Sequence, residues 1–98
     1  MKFDHVALNV KNISSAVEWY QNEYCAEVVY HDDSWALVKI GETKIAFTLE
    51  SHHPPHIGFC VESVADFPDG SEIGTHRDGS MYHYKTDPWG NTIEFIKY

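Results

Sequence analysis

Only one stretch of this chain carries a helical repeat. In "NISSAVEWYQNEYCAE", Val17, Tyr20 and Tyr24 recur at helical spacing, and Ser15 followed three residues later by Glu18 has the form of a capping box. The spacing predicts a helix over Ser15 to Tyr24. Cys25 then stands where a helix usually ends in glycine, so it is expected in a left-handed conformation at a cost of about 1 kcal/mol. Elsewhere apolar and polar residues alternate with a period of two, the mark of strands with two different faces. A chain built this way belongs to the α+β class.

The alternating segments are short and evenly spread. Phe3 to Val10 sends Phe3, His5, Ala7 and Asn9 to one face and Asp4, Val6, Leu8 and Val10 to the other. After the helix, strands are predicted over Glu27 to His31, Trp35 to Ile40 and Lys44 to Glu50, separated by the turn-like "DDS" and "GET". The first half therefore reads βαβββ and forms a module over residues 1–51. "SHHPPH" breaks the pattern and connects it to a second module, residues 54–98, within one domain spanning 1–98. That module opens like the first, with His56, Gly58 and Cys60 alternating against Ile57, Phe59 and Val61, a faint internal repeat. It then departs from it. "ADFPDGSEIGTHRDGS" has one proline, three glycines and no helical periodicity, so the second helix is expected to be reduced or missing. Met81 to Thr86 and Asn91 to Tyr98 are the closing strands, joined by "DPWGN", with Pro88 and Gly90 in turn positions.

Composition limits the function classes. A net charge of −8 argues against nucleic acid and anionic membrane surfaces, which demand a cationic footprint. No stretch approaches the roughly 20 apolar residues of a membrane span, and "MKFDHVALNV" carries charges where a signal peptide is apolar. The expectation is a soluble, cytoplasmic protein. Its 2 cysteines, Cys25 and Cys60, are too few for a disulfide framework and are expected reduced. Histidine is in excess, with 7 residues. His52 and His53 read as solvated loop residues, and His31, His76 and His83 as exposed ones.

Three residues share a description. His5, His56 and Glu94 each lie on the face of their strand opposite its large apolar residues, Glu94 between Ile93 and Phe95. If those faces converge, two imidazoles and a carboxylate make a facial triad that leaves metal positions open. "FDHVALNV", "SSAVEWYQNEY" before "CAEVV", "HIGFCVE" and "DPWGNTIEF" together resemble the vicinal oxygen chelate superfamily, which includes glyoxalase I, extradiol dioxygenases, and fosfomycin- and bleomycin-resistance proteins. The resemblance implies two βαβββ modules forming a curved mixed sheet around a cavity. It also implies His5, His56 and Glu94 as ligands of a divalent ion, Fe, Mn, Zn or Ni, that serves an enzyme acting on a small oxygen-chelating substrate. The fourth ligand of glyoxalase I is not matched, because Ala46 occupies that position in "KIAFTLE" and Glu50 lies farther along the same face.

Parity adds a lining of Ala7, Asn9, Thr48, Gly58, Cys60, Tyr82, Tyr84 and Ile96 to that cavity. Tyr84 is the candidate proton relay and Glu50 a remoter one. Arg77, the single arginine, reads as a surface charge. A metal-free binding protein of the bleomycin-resistance type is the alternative, with Trp35, Tyr82, Tyr84 and Trp89 as stacking surfaces. Loss of the second helix uncovers Ile57, Phe59, Val61, Ile93 and Phe95, so a homodimer is expected.

Overall fold

The computed structural model describes residues 1–68, 70 and 72–98. Its elements run β1 (Lys2–Asn9), α1 (Ile13–Tyr24), β2 (Glu27–His31), β3 (Trp35–Ile40), β4 (Thr43–Thr48), β5 (His56–Cys60), a 3-10 turn (Val64–Asp66), β6 (Gly74–Thr75), β7 (Met81–Thr86) and β8 (Thr92–Lys97). The fold is α+β, with eight strands in one mixed sheet and a single α-helix. Its residues cluster into two compact units, one of His5–Pro55 and one of Met1–Asp4 with His56–Tyr98.

In the first unit the strand order is β2-β3-β4-β1. β1 runs parallel to β4, pairing His5 with Lys44, Ala7 with Ala46 and Asn9 with Thr48. The helix covers one face of these strands. Ile13 and Val17 of α1 are buried with Ala26, Ala36, Val38 and Phe47, and Leu8, Ile45 and Tyr20 pack against them. Apolar residues of β1, β3 and β4 thus point to the helix, while His5, Ala7 and Asn9 have the opposite parity, as the alternation predicts.

The helix begins two residues earlier than its sequence suggests. Asn12 is the N-cap, and its side chain accepts from the Ser15 backbone N–H at 2.8 Å, so Ser15 belongs to the first turn rather than to the cap. Asparagine caps as well as serine, and here it also takes the extended backbone that a cap requires. The helix stops where predicted: Cys25 is left-handed, at φ 55°, and its N–H reaches back to the carbonyl of Gln21 at 3.0 Å.

The second unit has the order β5-β8-β7-β6. β5 and β8 are parallel and β7 is antiparallel to β8, which aligns Gly58 and Tyr84 on either side of Glu94. The expected second helix is reduced to the 3-10 turn, closed by a capping box between Ser63 and Asp66. Two further features depart from the sequence reading. β6 is an additional two-residue strand, and Phe3, grouped by parity with His5, is half exposed and meets Phe59 edge-on at 6.3 Å. The ladder with β4 begins only at His5, so nothing in that pairing holds Phe3 to the alternation. The apolar face keeps partial cover: Phe59 lies beside Phe95, the His83 ring is stacked on Phe95, and Val61 and Phe67 are buried. Ile57, Val64 and Ile73 stay exposed.

Candidate metal centre

Register alone places the chemistry of the second unit on one face. His56, Gly58 and Cys60 of β5 stand beside Thr92, Glu94 and Ile96 of β8, and Thr86, Tyr84 and Tyr82 of β7 stand on the other side. Glu94 is the most deeply buried charged side chain among the described residues, at 2% exposure. A carboxylate so placed costs several kcal/mol unless charges or donors meet it. Two donors do: His76 Nε2 lies 2.9 Å from Oε2, and the Tyr84 hydroxyl donates to the carboxylate. His56 Nε2 lies farther off, 3.6 Å from Oε1. Burial, and then the Glu94 charge and this hydrogen bond, raise the Tyr84 pKa well above the ordinary phenol value. Tyr84 therefore stays protonated and acts as a donor. Its ring also meets the His56 imidazole edge-on at 5.2 Å.

His5 in the first unit and His56 and Glu94 in the second are all buried, and each offers a ligand atom. The donor set suits a divalent ion: two neutral imidazoles and one carboxylate are the ligands that zinc, iron, manganese and nickel accept. Spacing agrees with that chemistry. Two ligands about 2.1 Å from a common ion at a tetrahedral angle are about 3.4 Å apart. The 3.6 Å between His56 and Glu94 is close to that separation and beyond a normal hydrogen bond. β4 supplies no further ligand. Lys44 is the residue paired with His5, Ala46 is paired with Ala7, and Glu50 lies exposed beyond the end of the strand.

The remaining expected lining divides between the units. Thr48 is buried and donates to Asn9 Oδ1 at 2.9 Å, with Ala7 and Ala46 buried on the same face. Cys60 is partly buried and Ile96 nearly fully so. Tyr82 and Tyr84 line a groove of about 350 Å³ with Glu72, Ile73, Gly74 and His83. A second groove, about 390 Å³, runs along Asn9, Glu50 and the connection through Pro55 and includes His52 and His53. Trp89 is 83% exposed and offers no cavity wall. Trp35 instead stacks on Tyr30, with centroids 4.5 Å apart. His31 and Arg77 are exposed, as expected.

Two histidines expected to be exposed are partly buried instead: His83, whose Nδ1 lies 3.1 Å from the Glu72 carbonyl and whose ring is stacked on Phe95, and His76. His76 is set against Glu94 and stacked on Tyr82, with ring centroids 3.9 Å apart and planes 15° apart. The sequence carries a signal for it in Gly74, which pairs with Tyr82 across β6 and β7. A Cβ there would come within 2.7 Å of the Tyr82 ring, so only glycine leaves room for that ring to lie over the strand and meet His76.

No family model matches the chain, and no curated protein matches it. Solved structures do. A hypothetical protein from Bacillus halodurans aligns with 99% of this chain and 94% of its own at 18% identity and a TM-score of 0.73. Methylmalonyl-CoA epimerase from Mycobacterium tuberculosis aligns with 98% of this chain and 87% of its own at 16% identity and a TM-score of 0.77. Methylmalonyl-CoA epimerase variants from Streptomyces coelicolor, in complex with 2-nitronate-propionyl-CoA, reach a TM-score of 0.76 at 18% identity, covering 99% of this chain and up to 96% of theirs. The chain shares the fold of methylmalonyl-CoA epimerase over nearly its whole length. At such identities the likeness is one of fold alone.

Proposed function

We propose that the chain is a metal-dependent enzyme of the vicinal oxygen chelate type, with His5, His56 and Glu94 as ligands and a small oxygen-chelating molecule as substrate. The observation that carries this reading is the buried two-histidine, one-carboxylate group on a fold shared with methylmalonyl-CoA epimerase. A divalent ion at these residues supplies Lewis acidity toward substrate oxygens and stabilises an enolate or oxyanion. The chain's own contribution is positional. Glu94 brings a negative charge to a site from which water is largely excluded, His5 and His56 bring neutral nitrogens, and Tyr84 keeps its proton and orients the carboxylate.

Two neighbours carry an acyl-CoA compound, methylmalonyl-CoA in one and 2-nitronate-propionyl-CoA in another, which makes proton transfer next to a carbonyl the first reaction class to assay. The groove beside Tyr82 and Tyr84 is a candidate substrate wall, and Glu50 a remoter candidate base. The exposed Ile57, Val64 and Ile73 support a homodimer that covers them. Native mass spectrometry tests both parts of the reading. One divalent ion per chain, in a two-chain assembly, is expected for the wild type, and His5→Ala is expected to retain the assembly without the ion. A wild type that never takes up one ion per chain would refute the metal reading, and a monomer at micromolar concentration would refute the dimer.

A further inference from the structure

We propose that His76 is a positioning residue of this site alongside Tyr84, holding the Glu94 carboxylate by one oxygen so that the other is presented to the ion. The inference rests on the metal-dependent reading above and adds to it a residue that neither strand parity nor the ligand group contains. Its basis is how the two carboxylate oxygens are shared. His76 Nε2 lies on Oε2 at 2.9 Å, a full hydrogen bond, whereas His56 Nε2 lies 3.6 Å from Oε1. Oε2 is held by His76, Oε1 faces a ligand histidine, and the Tyr84 hydroxyl adds a second donor to the carboxylate. A carboxylate that binds an ion through a single oxygen needs this arrangement, because a donor on the second oxygen fixes its rotation about the terminal bond. His76 Nε2 sits on the carboxylate oxygen other than the one His56 faces, which assigns it to the carboxylate rather than to the ion.

The chain builds a specific support for that imidazole. Its ring is stacked face to face on Tyr82, and Tyr82 can occupy that place only because residue 74 is glycine. The backbone is fixed by a tight hairpin end, in which the His76 N–H donates to the Ser80 carbonyl at 2.8 Å and the Gly79 N–H returns to the His76 carbonyl at 3.0 Å. Gly79 takes φ +89°, and the Asp78 carboxylate accepts from both the backbone N–H and the hydroxyl of Ser80. This hairpin joins β6 to β7, the place that the Asp32–Ser34 turn between β2 and β3 holds in the first module, and here it delivers a side chain to the site.

The test measures Zn²⁺ affinity of the full chain by chelator competition in the wild type, His76→Ala and His76→Gln, and counts imidazole ligands by X-ray absorption at the bound zinc. His76→Ala is expected to weaken binding by about 10–100-fold, as loss of a partner to a ligand does. His76→Gln, which keeps a donor and is the variant less disturbing to folding, is expected to recover most of it, and both variants are expected to keep the two imidazoles of the wild type. Unchanged affinity in His76→Ala overturns the proposal. So does a wild type with three imidazoles that falls to two in His76→Ala, since His76 would then be a ligand. Absence of zinc binding in the wild type removes the metal reading itself, and the positioning role with it.

Discussion

Replacing Glu94 with glutamine is expected to leave the chain folded and to weaken metal binding by more than about hundredfold. The variant keeps shape and volume, and an amide oxygen can still accept from His76 or Tyr84, so the hydrogen bonds that anchor the side chain have a substitute. What disappears is the one negative charge of the ligand group. Loss of a mere partner to a ligand costs about 10–100-fold in affinity, and loss of the anionic ligand itself costs more. The effect is readable as stability. An ion at a hundred times its dissociation constant stabilises the folded chain by about 2.7 kcal/mol, and a hundredfold weaker site at the same concentration gives about 0.4 kcal/mol. Thermal unfolding with and without Mn²⁺ or Zn²⁺ makes the comparison. An upshift as large in Glu94→Gln as in the wild type would show that the ion binds elsewhere.

Phe47→Ala is expected to give the largest loss of stability in the first unit. Phe47 is fully buried, packs against the Tyr20 ring at a centroid distance of 4.8 Å, and belongs to the cluster that joins α1 to β3 and β4. Truncating such a ring removes its transfer energy and leaves a cavity, at a cost of about 3–5 kcal/mol. A domain of this size has only about 5–15 kcal/mol to lose, and each kcal/mol moves its midpoint by about 4–8 °C. A fall in Tm of more than about 12 °C is expected by calorimetry. A fall of less than about 4 °C would mean that the helix is not held by this face.

Much of this architecture is legible because it depends on alternation. Parity alone assigns His56 and Glu94 to a shared face, and the register confirms the face through the pairing of Gly58 with Glu94. The closing turn is legible as a turn but not in its mechanism. Pro88 and Gly90 mark it, yet Asp87 organises it, its carboxylate accepting from the backbone of Trp89 and Asn91 and from the Asn91 side chain, each at 2.9 Å. Those hydrogen bonds, chiefly from the Asn91 side chain, hold the Asp87 pKa below the ordinary carboxylate value. In "DDS" Asp32 plays the same part, accepting from Ser34 and Trp35. Each turn works through short-range polar bonds that hydrophobic periodicity does not record.

His76 was illegible for a related reason. Its place depends on a two-residue strand, on a glycine that admits a tyrosine ring and on a four-residue reversal, none of which carries a period. Phe3 shows the other limit: it lies inside β1 with the parity of His5, yet it is half exposed.

The most direct measurement of the central claim is an anomalous difference map from crystals of the full chain grown with Mn²⁺ or Zn²⁺. The account predicts one peak per chain within about 2.0–2.3 Å of His5, His56 and Glu94. A peak at His52 and His53 instead, with no density at the three predicted ligands, would contradict it.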